Sequence, residues 1–206
     1  MKLFILIVTM SFMVLSCKKG KADFTLKGVI TDLSFNSGLS GATIKLYEVE
    51  AGGGAINLIG TTNVSDGNYS FTFPRNKVES YQLIVEKQNY FDFNETVYFA
   101  DLTISEDNIR NFSITAKSWV NLHFVNTNPS PTDQLQYIRT QGKKDCEECC
   151  PTNNQMLTGA VDTNIYCIND GNTIYSYDYW VIGMGINGTK SITTIPFDTV
   201  ELLLNY

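Results

Sequence analysis

Reactive side chains concentrate in one short stretch, Asp145-Cys146-Glu147-Glu148-Cys149-Cys150, with one further cysteine at Cys167. Cysteines at CxxC spacing suit three chemistries: zinc held by thiolates, a redox-active pair, or structural disulfides. Adjacent Cys149 and Cys150 do not easily face one metal together, and no second CxxC follows to complete a four-thiolate set. A bond between those two neighbours would be strained. Each is therefore expected to pair with Cys146 or Cys167, giving two disulfides. A second candidate is Tyr175, Tyr177 and Tyr179, alternating on one strand face with Trp180 on the other. Such a stripe stacks on sugar rings or on a partner surface, or it packs a core. His123 is the only histidine, so any Ser-His-Asp or Cys-His hydrolase would have to use it. It lies mid-strand, with no GxSxG in the chain, and reads as a surface residue. HExxH, P-loop and GxGxxG motifs are also missing. No catalytic residue, cofactor or metal is expected.

The compartment is indicated by the first residues. Lys2 precedes an apolar run from Leu3 to Val14 that is too short to span a bilayer and ends at Leu15-Ser16-Cys17. This pattern resembles the lipobox of bacterial lipoproteins. The resemblance implies a diacylglyceryl group on the Cys17 thiol, cleavage before Cys17, and acylation of the new amine. Residues 1–16 are then a signal peptide and 17–23 a lipidated tether. Two or three acyl chains make such an anchor effectively permanent, at roughly 0.8 kcal/mol per buried methylene. Lipoproteins of the Bacteroidetes type usually carry acidic residues after the cysteine when exported to the surface, whereas Lys18, Lys19 and Lys21 stand here. The expected location is the outer membrane, on its periplasmic side. That compartment is oxidising, which favours the disulfide reading of the cysteines.

Composition narrows the function classes. Charged residues make up 17% and aromatic residues 12% of the chain, and the net charge is −6. A chain of this kind is neither disordered nor a nucleic-acid binder. Short runs rich in Thr, Val, Ile and Tyr, with no long helical periodicity, predict an all-β protein.

The alternation of apolar residues places the strands. Phe24, Leu26 and Ile30 share one face, as do Ala42, Ile44 and Leu46; Ile56 to Thr62 follows, then Tyr69, Phe71 and Phe73 after the Asp66-Gly67-Asn68 turn. Tyr81, Leu83 and Val85, then Val97 with Phe99, and Phe112 with Ile114 complete the first half. The order Gly28-x-Ile30-x-Asp32, Gly41-Ala42-x-Ile44-x-Leu46, Thr62, Asp66-Gly67-Asn68-Tyr69-Ser70-Phe71, Tyr81-x-Leu83-x-Val85 and Tyr90 resembles the carboxypeptidase regulatory-like, transthyretin-like β-sandwich family. The resemblance covers residues 24–115. Ser80 and Asn89 stand where glycine is usual, which leaves the shape of those loops open. It implies an accessory, spacer or binding module without catalytic residues.

Residues 116–206 are expected to form a second, disulfide-bearing β domain. Its strands are Trp119–Val125, Leu135–Arg139, Asn164–Ile168, Ile174–Ile182 and Val200–Leu204, with Asp170-Gly171-Asn172 and Asn187-Gly188 as turns between them. The fold class is thus all-β, a transthyretin-like β-sandwich followed by a second small β-sandwich domain, with one large sandwich as the alternative. The expected function is a lipid-anchored, non-catalytic binding or scaffolding protein, accessory to an outer-membrane protein complex. The alternative is capture of a glycan or small ligand, with Tyr175, Tyr177, Tyr179 and Trp180 as the platform.

Overall fold

The structure is a computed structural model and describes residues 22–52, 54–146 and 148–206. Cys17 and the signal segment lie outside the described residues. The fold is all-β.

The first half contributes β1 (Asp23–Asp32), β2 (Ser37–Gly38), β3 (Ala42–Val49), β4 (Ile56–Val64), β5 (Asn68–Pro74), β6 (Ser80–Glu86), β7 (Phe93–Tyr98), β8 (Asn108–Ile109) and β9 (Phe112–Ile114). β1 is central in one sheet, antiparallel to β5 on one side and parallel to β8 and β9 on the other. The facing sheet runs β4-β3-β6-β7, antiparallel throughout. Phe24, Leu26 and Ile30 of β1 meet Ile44, Leu46, Tyr81 and Leu83 of the opposite sheet in one buried core. Period-two alternation puts every second residue on that inner face, as the sequence pattern requires.

The second half contributes β10 (Lys117–Val125), β11 (Gln134–Gln141), β12 (Gln155–Thr158), β13 (Asp162–Asp170), β14 (Ile174–Ile182), β15 (Ile186–Thr193) and β16 (Thr199–Asn205). They form sheets β13-β10-β16 and β12-β11-β14-β15 around a separate core that includes Leu122, Phe124, Leu135, Tyr177 and Leu204. This arrangement repeats the first half strand for strand. In each half the first strand lies between an antiparallel fourth strand (β5 or β13) and a parallel last one (β9 or β16). The second, third, fifth and sixth strands make the other sheet in the order third-second-fifth-sixth. The short β2 and β8 are additions to the first copy.

Some elements differ from the sequence expectation. Phe99 begins a 3₁₀ turn, Phe99–Asp101, and does not extend the strand of Val97. Asn187-Gly188 lies within β15 and is not a turn; the chain reverses earlier, where Gly183 and Gly185 take φ of 84° and 69°. β12 and β15 escape the pattern because they are edge strands that bury little, so selection for apolar alternation is weak there.

Candidate functional site

Three of the motif residues of the first sandwich, Asp32, Asn89 and Tyr90, lie at its end nearest the second. Asp32 is buried, and its carboxylate accepts the Tyr90 hydroxyl at 2.6 Å and the Ser34 amide at 3.0 Å. Asn89 takes φ of 62°, a left-handed conformation that Asn tolerates better than most residues, which accounts for Asn in place of glycine. Ser80 sits buried at the start of β6. Gly28 is required by close approach, since a Cβ there would lie 1.7 Å from the Arg110 carbonyl oxygen. That same oxygen accepts the Tyr69 hydroxyl at 2.7 Å.

Only Thr115 and Ala116 separate β9 from β10, and they are held from both sides. Ala116 is fully buried; its N–H donates to Ser34 Oγ at 3.0 Å and its carbonyl accepts the Gly171 amide at 2.8 Å. Lys117 N–H donates to the Asn89 carbonyl, and the Lys117 carbonyl accepts from Phe197 N–H, both at 2.8 Å. Asn172 Nδ2 reaches the Ser34 carbonyl at 2.6 Å. The Phe197 ring lies 5.9 Å from that of Phe35 and 5.4 Å from that of Tyr90. Lys143 Nζ stands 3.9 Å from the centre of the Phe91 ring and pairs with Asp170 at 2.8 Å. With its polar groups bonded to both sandwiches, the connection is an ordered joint and not a flexible linker.

The four cysteines form two bridges, Cys146–Cys149 and Cys150–Cys167. These consume the thiolates that a zinc site or a free dithiol would need. Cys167 is fully buried mid-strand in β13, opposite Val120, and its sulfur accepts the Tyr175 hydroxyl at 3.2 Å. Its bridge staples the loop after β11 to the core, while Cys146–Cys149 closes a turn within that loop.

The tyrosine stripe does not form a surface platform. Tyr175 and Tyr177 are buried and Tyr179 is partly buried against the same core. The tyrosines take the inward positions of β14, so Trp180, on the opposite face, is the most exposed of the four, at 41%. Burial pushes the Tyr175 phenol up to about 12 and raises that of Tyr177 as well.

His123 lies on the outer face of β10, with its side chain one-quarter exposed. Its Nδ1 is 2.7 Å from Glu201 Oε1 and its Nε2 3.1 Å from Asp162 Oδ1. The hydrogen bonds to Glu201 and Asp162 raise its pKa above 6.5. With both ring nitrogens engaged by carboxylates, it is placed to tie β10 to β13 and β16 rather than to activate a nucleophile.

Sequence reasoning found Trp180 but not its neighbours. Gln136 is its cross-strand partner on β11, and Asn187 its partner on β15. A shallow depression of about 390 Å³ beside it is bounded by Gln136, Ile138, Asn154 and Ile182. The only available signal was that Trp180 breaks the inward stripe; which residues flank it depends on strand pairing. A larger depression of about 730 Å³ on the first sandwich, near Lys27, Asn68 and Asn111, is open, but the aromatic residue that lines it, Tyr69, is buried, and Lys27 pairs with Asp107 while Asn111 accepts the Val29 amide.

No protein-family model matches the chain, and no curated protein matches it. Among solved structures it is similar to the Bacillus anthracis TIE protein, with 12% identity, a TM-score of 0.34, and coverage of 89% of this chain and 34% of that one. It is also similar to a Streptococcal ancillary pilin, at 11% identity and a TM-score of 0.32, covering 89% of this chain and 63% of the pilin. Shaft pilin SpaA from Lactobacillus rhamnosus GG matches at 11% identity and a TM-score of 0.33, covering 89% and 96%. The chain thus spans about a third of the first of these and under two thirds of the second. Likeness this distant says nothing of a shared activity or partner.

Proposed function

We propose that this chain is a lipid-anchored, non-catalytic scaffolding protein of the bacterial cell envelope, tethered through Cys17 to the outer membrane and accessory to a protein complex there. The observation that supports this most is the joint. Two sandwiches of one topology meet through Ala116, Asn172 and Phe197, with backbone and side-chain bonds across the connection. A protein that presents surfaces at a set spacing benefits from such a joint, because a flexible linker would lose that spacing to conformational entropy. The mechanism is positional. The anchor confines the protein to the membrane surface, the first sandwich starts six residues after Cys17 (17 to 23), and the joint carries the second sandwich at a fixed orientation.

Crosslinking in intact cells, affinity purification of the tagged protein and mass spectrometry test the reading. A stoichiometric envelope partner is expected, and its loss on loosening the joint with Phe197→Ala, which removes the ring packed on Phe35 and Tyr90 at a left-handed φ that a Cβ residue disfavours, would tie the partner to the fixed geometry. Recovery of the protein alone, under conditions that capture known envelope complexes, would refute the scaffolding role. The anchor is tested separately: a Cys17→Ala variant that stays membrane-bound and fully processed would remove it.

A further inference from the structure

Trp180 belongs to a row that crosses all four strands of the β12-β11-β14-β15 sheet. Met156 pairs with Gln136, Gln136 with Trp180, and Trp180 with Asn187, so all four side chains share the outer face. Met156 and Trp180 are exposed by 57% and 41%. The depression of about 390 Å³ lies on one side of the indole, and a second of about 220 Å³, bounded by Asp178, Asn187 and Thr189, lies on the other. An aromatic ring thus stands between two shallow, open depressions, both furnished with hydrogen-bonding side chains.

We propose that this face binds a neutral glycan chain laid across the sheet, with Trp180 stacked on the C–H face of one sugar ring and the flanking depressions holding its neighbours. Sugar rings offer a weakly apolar face edged by hydroxyls, and recognition needs an aromatic surface with donors and acceptors close beside it. Asn154 donates to Gln136 Oε1 at 3.3 Å and Asp178 Oδ1 accepts the Thr189 hydroxyl at 2.6 Å, which leaves the Gln136 amide N–H groups, the Asn154 carbonyl, both ends of the Asn187 amide and the second Asp178 oxygen to meet sugar hydroxyls. Charge decides the class of glycan. The described residues lining either depression include no lysine or arginine, so a uronic acid or phosphate would meet Asp178 with no cation to offset it. Two depressions suit a chain of sugars more than a single residue enclosed in a pocket. Exposed Ile182 and half-buried Ile138 add apolar surface beside Trp180, but Gln136, Asn154 and Asp178 break it up, so an apolar protein partner fits less well. The glycan reading goes beyond the scaffolding role and does not depend on it.

The test is affinity electrophoresis of the full chain, purified in detergent, through gels containing xyloglucan, β-1,3-glucan or α-mannan, with alginate and polygalacturonate as anionic probes. Retardation in at least one neutral gel is expected, and Trp180→Ala should weaken the affinity by about tenfold or more. Near-UV circular dichroism reports whether that variant is folded. If it is not, Asn187→Ala and Gln136→Ala, each expected to weaken binding several-fold, carry the test. Absence of retardation in every neutral gel, equal retardation of wild type and folded Trp180→Ala, or retardation confined to the anionic gels would each overturn the proposal. Crosslinking in cells reports on the protein partner independently, so the two readings fail separately.

Discussion

Tyr177 and Trp180 stand three residues apart on one strand and should respond to substitution in opposite ways. The Tyr177 ring is fully buried, 5.5 Å from Phe124 and 5.8 Å from Tyr137 between ring centres. Its hydroxyl is enclosed yet has no hydrogen-bond partner among the described residues. A buried polar group without a partner costs about 1–3 kcal/mol. Tyr177→Phe keeps the ring and removes that cost, less a small loss of packing where the oxygen sat. The expected result is a stabilisation of about 1 kcal/mol. Tyr177→Ala removes the ring from a close-packed core and should destabilise by about 3–5 kcal/mol. Trp180→Ala, on the outer face, should cost less than about 1 kcal/mol. Equilibrium urea unfolding followed by near-UV circular dichroism measures all three, provided the slope with denaturant is unchanged. A Tyr177→Phe variant destabilised by about 1 kcal/mol or more would show that the hydroxyl is satisfied in the folded protein. A Trp180→Ala variant as damaged as Tyr177→Ala would refute the division of β14 into inner and outer faces.

Three further outcomes are expected. Tyr90→Phe strips a buried hydrogen bond from the Asp32 carboxylate and should lower stability by about 1.5–3 kcal/mol in the same unfolding assay. The two bridges should differ. By loop length, with separations of 17 and 3 residues, paired serine replacements should cost about 3 kcal/mol at Cys150–Cys167 and about 2 kcal/mol at Cys146–Cys149. Under mild reductant, alkylation mapped by mass spectrometry should label Cys146 and Cys149 first, because the Cys167 sulfur is in the core. His123 should titrate above 6.5 by NMR, and Glu201→Gln should move it back toward that value. Because its pKa is raised on folding, its contribution to stability is complete below about 6.5 and is lost as pH rises through the folded value.

The first sandwich is legible in the residues because each of its core strands alternates cleanly and its turns carry Gly or Asn. Phe24, Leu26 and Ile30 of β1, or Tyr69, Phe71 and Phe73 of β5, announce which face is buried before any pairing is known. Less was legible in the second sandwich. Its long strands stood out, but β12 and β15 did not, since edge strands bury one side lightly and tolerate polar residues such as those of Ile186–Thr193. The tyrosine stripe could be recognised as a stripe, but not as inward, because alternation marks two faces without saying which one meets the other sheet.

Local sequence therefore determined the strand class, the cysteine pairing constraints and the turn positions of the first half, all of which depend on neighbours within a few residues. Only the tertiary structure decided that the second half repeats the topology of the first. It also decided that Asp32 and Tyr90, 58 residues apart, share one hydrogen bond, and that Trp180 stands in a row with Met156, Gln136 and Asn187. Those facts reside in register and in the packing of sheet on sheet, which no short-range pattern encodes.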